Sequence, residues 1–189
     1  MKRRESGDRE NEIKLAVADA PSGRGLLRAA GFRVSKSRVF ESNLVFDTAD
    51  RGILHAGALL RLRHVKACGV LTYKGAVDDG GFHKSRQEVE SEVEDPAAVR
   101  FILERLGYQP VFRYDKFRTE FARPGESGMA TVDETPIGVF LELEGSPRWV
   151  DRTARKLGFS PADYITRSYG RLYTEFCEAH GITPGDMVF

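Results

Sequence analysis

Like charges two residues apart recur along this chain. Glu10-x-Glu12, Glu88-x-Glu90 and Glu142-x-Glu144 are carboxylate pairs; Arg61-x-Arg63 and Lys116-x-Arg118 are cationic pairs. In an extended strand, residues i and i+2 point to the same face. Side by side, such charges repel unless an opposite charge sits between them. Paired carboxylates call for a divalent cation, since Mg²⁺ takes a few carboxylates and completes its shell with phosphate oxygens and water. Paired guanidinium groups call for phosphate, which they meet with a planar fork, while Lys14 and Lys74 would act as point charges. A metal triphosphate satisfies both demands.

These residues need strands to align them. Alternation of period two predicts strands over 10–17, 59–65, 70–74, 86–94, 116–121 and 139–144, with weaker signals over 34–46 and 129–133. One face of these strands is apolar, with Ile13, Leu15, Val17, Leu60, Leu62, Leu71, Tyr73, Phe117, Phe121, Leu141 and Leu143, and should meet helices. The other face is ionised almost throughout, adding Arg86, Glu92, Glu120 and Asp133 to the pairs above. An ordinary wet face mixes in Ser, Thr, Asn and Gln.

Helices are predicted from Pro96 to a stop at Gly107, from Pro147 to Gly158, over 167–180, and over 26–30 ending at Gly31. A turn is expected at Ala67-Cys68-Gly69. Glu10-x-Glu12 and Gly31-Phe32 recur as Glu88-x-Glu90 and Gly107-Tyr108 at nearly equal offsets, so each half reads as strand, helix and three strands. Eight strands can close into a barrel and leave no edge. The expected class is α+β: an eight-stranded antiparallel β-barrel with helices packed outside. Residues 1–9 read as an N-terminal tail, 10–180 as one domain and 181–189 as a C-terminal tail.

Composition narrows the function. With 189 residues, 30% charged, 41% apolar and a net charge of +1, the chain is a globular domain without the basic excess of a duplex nucleic-acid binder. No apolar run reaches a membrane span, and the charged start lacks a signal-peptide core. Two cysteines, Cys68 and Cys177, have no metal-ligand spacing, which points to the reducing cytoplasm. His55, His64, His83 and His180 are scattered and read as surface or turn residues. Asp78-Asp79-Gly80-Gly81 lacks the Gly-Lys-Ser/Thr ending of a phosphate loop and reads as a hairpin tip within a 75–84 loop.

In order along the chain, Glu10-Asn11-Glu12-Ile13-Lys14, Leu60-Arg61-Leu62-Arg63, Leu71-Thr72-Tyr73-Lys74-Gly75, Arg86-Gln87-Glu88-Val89-Glu90, Lys116-Phe117-Arg118, Asp133, Glu142-Leu143-Glu144 and Ser168-Tyr169 resemble the CYTH superfamily of triphosphate-tunnel enzymes. That superfamily includes class IV adenylyl cyclases and thiamine triphosphatases. The resemblance runs from Glu10 to about Phe176. It implies an eight-stranded tunnel with Glu10, Glu12, Glu142 and Glu144 as ligands for Mg²⁺ or Mn²⁺. Lys14, Arg61, Arg63, Lys74, Lys116 and Arg118 would line the phosphate path, with Glu10, Glu12, Lys14 and Lys74 catalytic. Glu88, Glu90 and Asp133 would hold a second metal or orient the cations. Arg167 reads as a surface residue, and the Tyr169, Leu172, Tyr173 and Phe176 stripe as core packing.

The implied activity is cyclase-like, ATP to cyclic AMP and pyrophosphate. Cyclase-like members tend to carry Gln-x-Asp-x-Tyr-Phe before the arginine pair; here the segment reads Glu41-Ser42-Asn43-Leu44-Val45-Phe46. This departure keeps hydrolysis of tripolyphosphate or thiamine triphosphate open beside it. A non-catalytic polyphosphate- or nucleotide-binding module is a further alternative. The expected partner is a small triphosphate, with neither a nucleic-acid duplex nor a membrane, and both a monomer and a homodimer are compatible with the sequence.

Overall fold

The computed structural model describes residues 9–66, 68–77 and 83–189, and for Arg9 and Glu10 the backbone alone. Among these, eight antiparallel strands close into a barrel. They are β1 (Arg9–Val17), β2 (Arg33–Asp47), β3 (Leu59–Val65), β4 (Cys68–Lys74), β5 (Lys84–Val93), β6 (Gln109–Ala122), β7 (Met129–Thr135) and β8 (Gly138–Glu144). Around the barrel the order is β1-β5-β4-β3-β2-β6-β7-β8. The two halves, β1–β4 and β5–β8, interleave: β5 lies between β1 and β4, β1 lies between β5 and β8, and β2 pairs with β6. Each half runs strand, helix and three strands, as the internal repeat implies, with α1 (Ala20–Ala29) and α3 (Pro96–Arg105) in equivalent places. A one-turn helix α2 (Gly52–His55) interrupts the first half.

Helices cover part of the apolar outer face, leaving Phe40, Tyr73 and Val89 exposed. Against β1, β7 and β8 lie α1 and α4 (Pro147–Lys156), enclosing Leu15, Leu27, Val132, Leu141, Leu143, Trp149 and Val150. Full burial of a Leu or Val stabilises by about 1.5–3 kcal/mol, so this cluster is the main apolar anchor of the barrel. A smaller cluster seats Leu103 of α3 on Phe46 and Leu62. The last helix, α5 (Tyr169–His180), behaves differently. Its Tyr169 joins Tyr114 and Phe140 in an aromatic cluster that reaches the barrel interior.

Several elements depart from the sequence expectation. The first helix begins at Ala20, not Leu26, because Asp19 caps it by accepting from the Ser22 N–H at 2.7 Å and Pro21 fits the first turn. Gly23 and Gly25 hide this start, since glycine is a poor helix former. Gly23 is nevertheless needed, as a Cβ there would come within 3.0 Å of Leu141. The turn expected at 67–69 is shifted, with Cys68 and Gly69 already paired in β4. Tyr73, expected under a helix, is 45% exposed. Residues 181–189 return along β6, where Met187 is buried and exchanges backbone hydrogen bonds with Arg113 and Asp115. The 78–82 hairpin tip lies outside the described residues. Among those described, no helix is long and apolar enough to cross a membrane.

Trp149 is held by close fit. Its indole Nε1 donates to Glu126 at 2.6 Å, Phe32 packs edge-on, and a Cβ on Gly128 would meet the ring at 2.2 Å. Gly128→Ala should therefore displace the ring and cost about 1–3 kcal/mol. Trp149 is the single tryptophan, so urea unfolding followed by its emission checks this directly. An unchanged spectrum and midpoint would contradict the packing.

Candidate active site

Inside the barrel lies a tunnel of about 800 Å³. Alternation turns the ionised residues into it. Glu12 and Lys14 come from β1, Arg61 and Arg63 from β3, Lys74 from β4, Lys84, Arg86, Glu88 and Glu90 from β5, Lys116, Arg118 and Glu120 from β6, and Glu142 and Glu144 from β8. Asp133 of β7 is fully buried beside them. The structure thus brings together the sequence-predicted site residues, except that the side chain of Glu10 lies outside the described residues. Its backbone pairs with Arg86.

Register explains the contacts. Glu12 faces Glu144 and Lys84 on its two neighbouring strands, Lys14 faces Glu142, and Arg118 faces Asp133. Apart from Glu12 and Glu144, which face each other across β1 and β8, these registers set opposite charges side by side. Glu12 accepts from Lys14 at 3.2 Å and Lys84 at 2.8 Å, while Glu142 lies 3.4 Å from Lys14 and also binds Arg118. Asp133 accepts from Lys116 at 2.7 Å, from Arg118 and from the Tyr169 hydroxyl at 3.0 Å. Glu90 bridges Arg61 and Arg63 at 3.3 and 3.4 Å, and Lys74 meets Glu88 at 3.0 Å.

Burial opposes ionisation of Glu12, Glu90, Asp133 and Glu142, but the cations outweigh it. Lys14, Lys84 and Lys74 hold Glu12 well below the usual carboxylate range, and Arg118 with Lys116 holds Asp133 at about 2. The two lysines on Glu12 differ. Burial lowers both, yet Lys14 has Glu12 and Glu142 beside it and ends raised. Lys84 has one carboxylate and the repulsion of Lys14 and Arg86, so burial brings it down to about 8. The tyrosines also diverge. Burial and the adjacent Asp133 and Glu142 push Tyr169 up; burial raises Tyr114 too, but Arg61 and Lys116 overcome it and lower the phenol.

Sequence reasoning overlooked several of these residues. Lys84 stands alone at the edge of a glycine-rich loop, and only the glutamate pattern continuing from Arg86 could have extended the strand back to it. Glu41, whose segment was weakly patterned, is buried 3.7 Å from both Arg63 and Lys116. Tyr169, read as packing alone, also lies 5.1 and 5.3 Å from the Lys14 and Lys116 ammoniums. Arg167 is a surface residue bonded to Glu175 at 2.6 Å. His83 is half-buried rather than superficial, with Nε2 2.7 Å from Asp151.

The donor chemistry suits a hard divalent ion. Glu12, Glu142 and Glu144 offer carboxylate oxygens on adjoining strands, and the interior residues named above include neither His nor Cys. Among the described residues no three ligating side chains converge. An incomplete protein shell of this kind fits Mg²⁺ or Mn²⁺ completed by phosphate oxygens.

Comparison with known proteins agrees with this fold. A "putative adenylate cyclase" of Methanocaldococcus jannaschii is 32% identical over 138 residues, covering 72% of this chain and 77% of that protein. The structure of a "putative adenylate cyclase" from Vibrio parahaemolyticus superposes with a TM-score of 0.75 at 21% identity, covering 89% of this chain and 99% of that one. A Hippeastrum "putative adenylyl cyclase", described as having a dominant triphosphatase activity, gives 0.61 at 18% identity, covering 93% and 97%. Members of the family typically use divalent metals and act on triphosphates. The CYTH domain model matches residues 8–169, and the chain belongs to the CYTH domain family.

Proposed function

We propose that this chain is a metal-dependent adenylyl cyclase-like enzyme that converts ATP to cyclic AMP and pyrophosphate in the tunnel. One observation carries the reading. Lys14, Arg61, Arg63, Lys74, Lys116 and Arg118 line one cavity from four strands, and the buried Nε–H groups of Arg61 and Arg63 find no acceptor among the described residues. Buried donors lacking partners are costly, and phosphate oxygens would satisfy them. The name of the Methanocaldococcus jannaschii relative supports the cyclase reading.

In this mechanism the arginines and lysines neutralise and align the three phosphates for in-line displacement. The ribose 3′-oxygen attacks the α-phosphorus, and the bond to the oxygen bridging α and β breaks as pyrophosphate leaves. Lys14 and Lys74 stabilise charge on the transferring and leaving oxygens. Glu10, Glu12, Glu142 and Glu144 would hold Mg²⁺ or Mn²⁺, which supplies charge neutralisation and acidifies the attacking hydroxyl. As Lys14 and Arg118 turn towards phosphate, they release Glu12 and Glu142 for that role. Glu88, Glu90 and Asp133 orient Lys74, the arginine pair and Lys116 with Arg118. The activity named for the Hippeastrum protein favours a second reading, in which water attacks the terminal phosphorus of ATP, tripolyphosphate or thiamine triphosphate.

An assay with Mg²⁺ or Mn²⁺ against ATP, tripolyphosphate and thiamine triphosphate, scoring cyclic AMP and phosphate separately, decides between them. Cyclic AMP with pyrophosphate is expected; phosphate alone would make the chain a hydrolase. Glu12→Ala should abolish turnover. Arg63→Ala should weaken triphosphate affinity about 10- to 100-fold, the loss of one charged hydrogen-bonding group worth roughly 1.5–3 kcal/mol. Wild-type rates and affinities in both variants would refute the assignment.

A further inference from the structure

Lys84, the first residue of β5, has no part in the mechanism above. It lines the tunnel, is buried, and donates to Glu12 Oε1 at 2.8 Å. Lys14 donates to the same oxygen at 3.2 Å. The two ammonium groups are held differently. Lys14 also lies 3.4 Å from Glu142 and 5.1 Å from the centre of the Tyr169 ring, so other partners surround it. For Lys84, Glu12 is the one carboxylate within ion-pair distance among the described residues.

The fold sets Lys84 in place from both sides. β1 pairs with β5 as far as Glu12, which faces Lys84; beyond it, Lys14 exchanges backbone hydrogen bonds with Ile165 at 2.8 and 2.9 Å. Lys84 therefore stands where β1 changes partner. The preceding residue, His83, is pinned to the outer helix α4, with Nε2 2.7 Å from Asp151 Oδ1. That oxygen also accepts from the Tyr164 hydroxyl at 3.1 Å. Alternation along the extended chain then turns Lys84 inward.

Across β5, β1 and β8 one row reads Lys84, Glu12, Glu144. The two carboxylates side by side attract a cation. A divalent ion bound through Glu12 Oε1 would have to displace an ammonium or sit against it, and like charges that close repel strongly. We propose that Lys84 is the counter-ion that closes Glu12 to free divalent metal and yields it when phosphate enters the tunnel. Phosphate oxygens offer the ammonium a second acceptor, and Glu12 is then free to ligate the metal that accompanies them. Metal and triphosphate thereby favour each other's binding, a coupling that runs equally in both directions. The inference rests on the tunnel reading above and adds its regulation: metal is admitted with the triphosphate and not before it.

Mn²⁺ binding to the protein alone tests this, followed by loss of the free ion's electron paramagnetic resonance signal in the wild type, Lys84→Met and Lys84→Arg. Methionine removes the charge and keeps the apolar stem, and Glu12 retains Lys14. Lys84→Met should bind Mn²⁺ about tenfold tighter than the wild type or better, the scale of one charged hydrogen bond. Lys84→Arg, which keeps the charge, should stay within about threefold of the wild type. Lys84→Gln should repeat the gain if Lys84→Met fails to fold. Adding Glu12→Ala to either neutral variant should abolish it. Unchanged or weaker Mn²⁺ binding in the neutral variants, a gain that survives without Glu12, or no Mn²⁺ binding by any variant would overturn the role of Lys84. The tunnel reading does not fall with it, since that reading is judged separately by the loss of turnover in Glu12→Ala.

Discussion

The structure depends on burying ionised groups without leaving any isolated. An unpaired buried charge costs several kcal/mol, and even a paired one gains little stability over an apolar replacement. The barrel meets this constraint by alternation across strands. Asp133 sits between Lys116 and Arg118, Glu12 between Lys14 and Lys84, and Glu90 between Arg61 and Arg63. Such a network contributes less to stability than to holding charges in place before a ligand arrives, and that pre-organisation is where electrostatic catalysis obtains its advantage.

Because the interior is charged, cohesion must come from outside. The fully buried Ile13, Leu15, Leu141 and Leu143 sit on the outer face of β1 and β8, one residue out of step with Glu12, Lys14, Glu142 and Glu144. The same two strands thus carry the apolar anchor on one side and the proposed metal ligands on the other. A slip of one residue would exchange them, so the register that stabilises the fold also assembles the site. Tyr114 and Tyr169 join the two regimes, with rings in an aromatic cluster and hydroxyls bonded to Arg61 and Asp133.

The charged face was legible because its signal is the simplest one available, period two with one sign repeated. Glu12, Lys14, Arg61, Arg63, Lys116 and Arg118 share one face by that pattern alone. The signal fails where tunnel-facing residues stop being charged. In the first part of β6, Phe112 and Tyr114 face inward while Arg113 and Asp115 pair with each other on the outside. The rule that charge marks the interior reverses there, and the strand appeared to begin at Lys116. The short α2 has no periodicity to detect; it is held by the Asp47 carboxylate, which accepts from the Ile53 and Leu54 N–H groups. Tyr169 packs in the core as its stripe implies, but its bond to Asp133 left no trace, because an aromatic stripe on a helix looks the same whether its ring ends in apolar packing or at a carboxylate.

The central claim is that the buried cations match three phosphates. Calorimetric titration with an ATP analogue bearing methylene bridges between its phosphates, set beside AMP under the same Mg²⁺ concentration, tests it most directly. The account predicts saturable one-to-one binding of the analogue and at least a hundredfold weaker binding of AMP, which lacks two groups each worth roughly 1.5 kcal/mol or more in charged hydrogen bonds. Equal affinity for the two nucleotides, or no binding of the analogue at all, would contradict it.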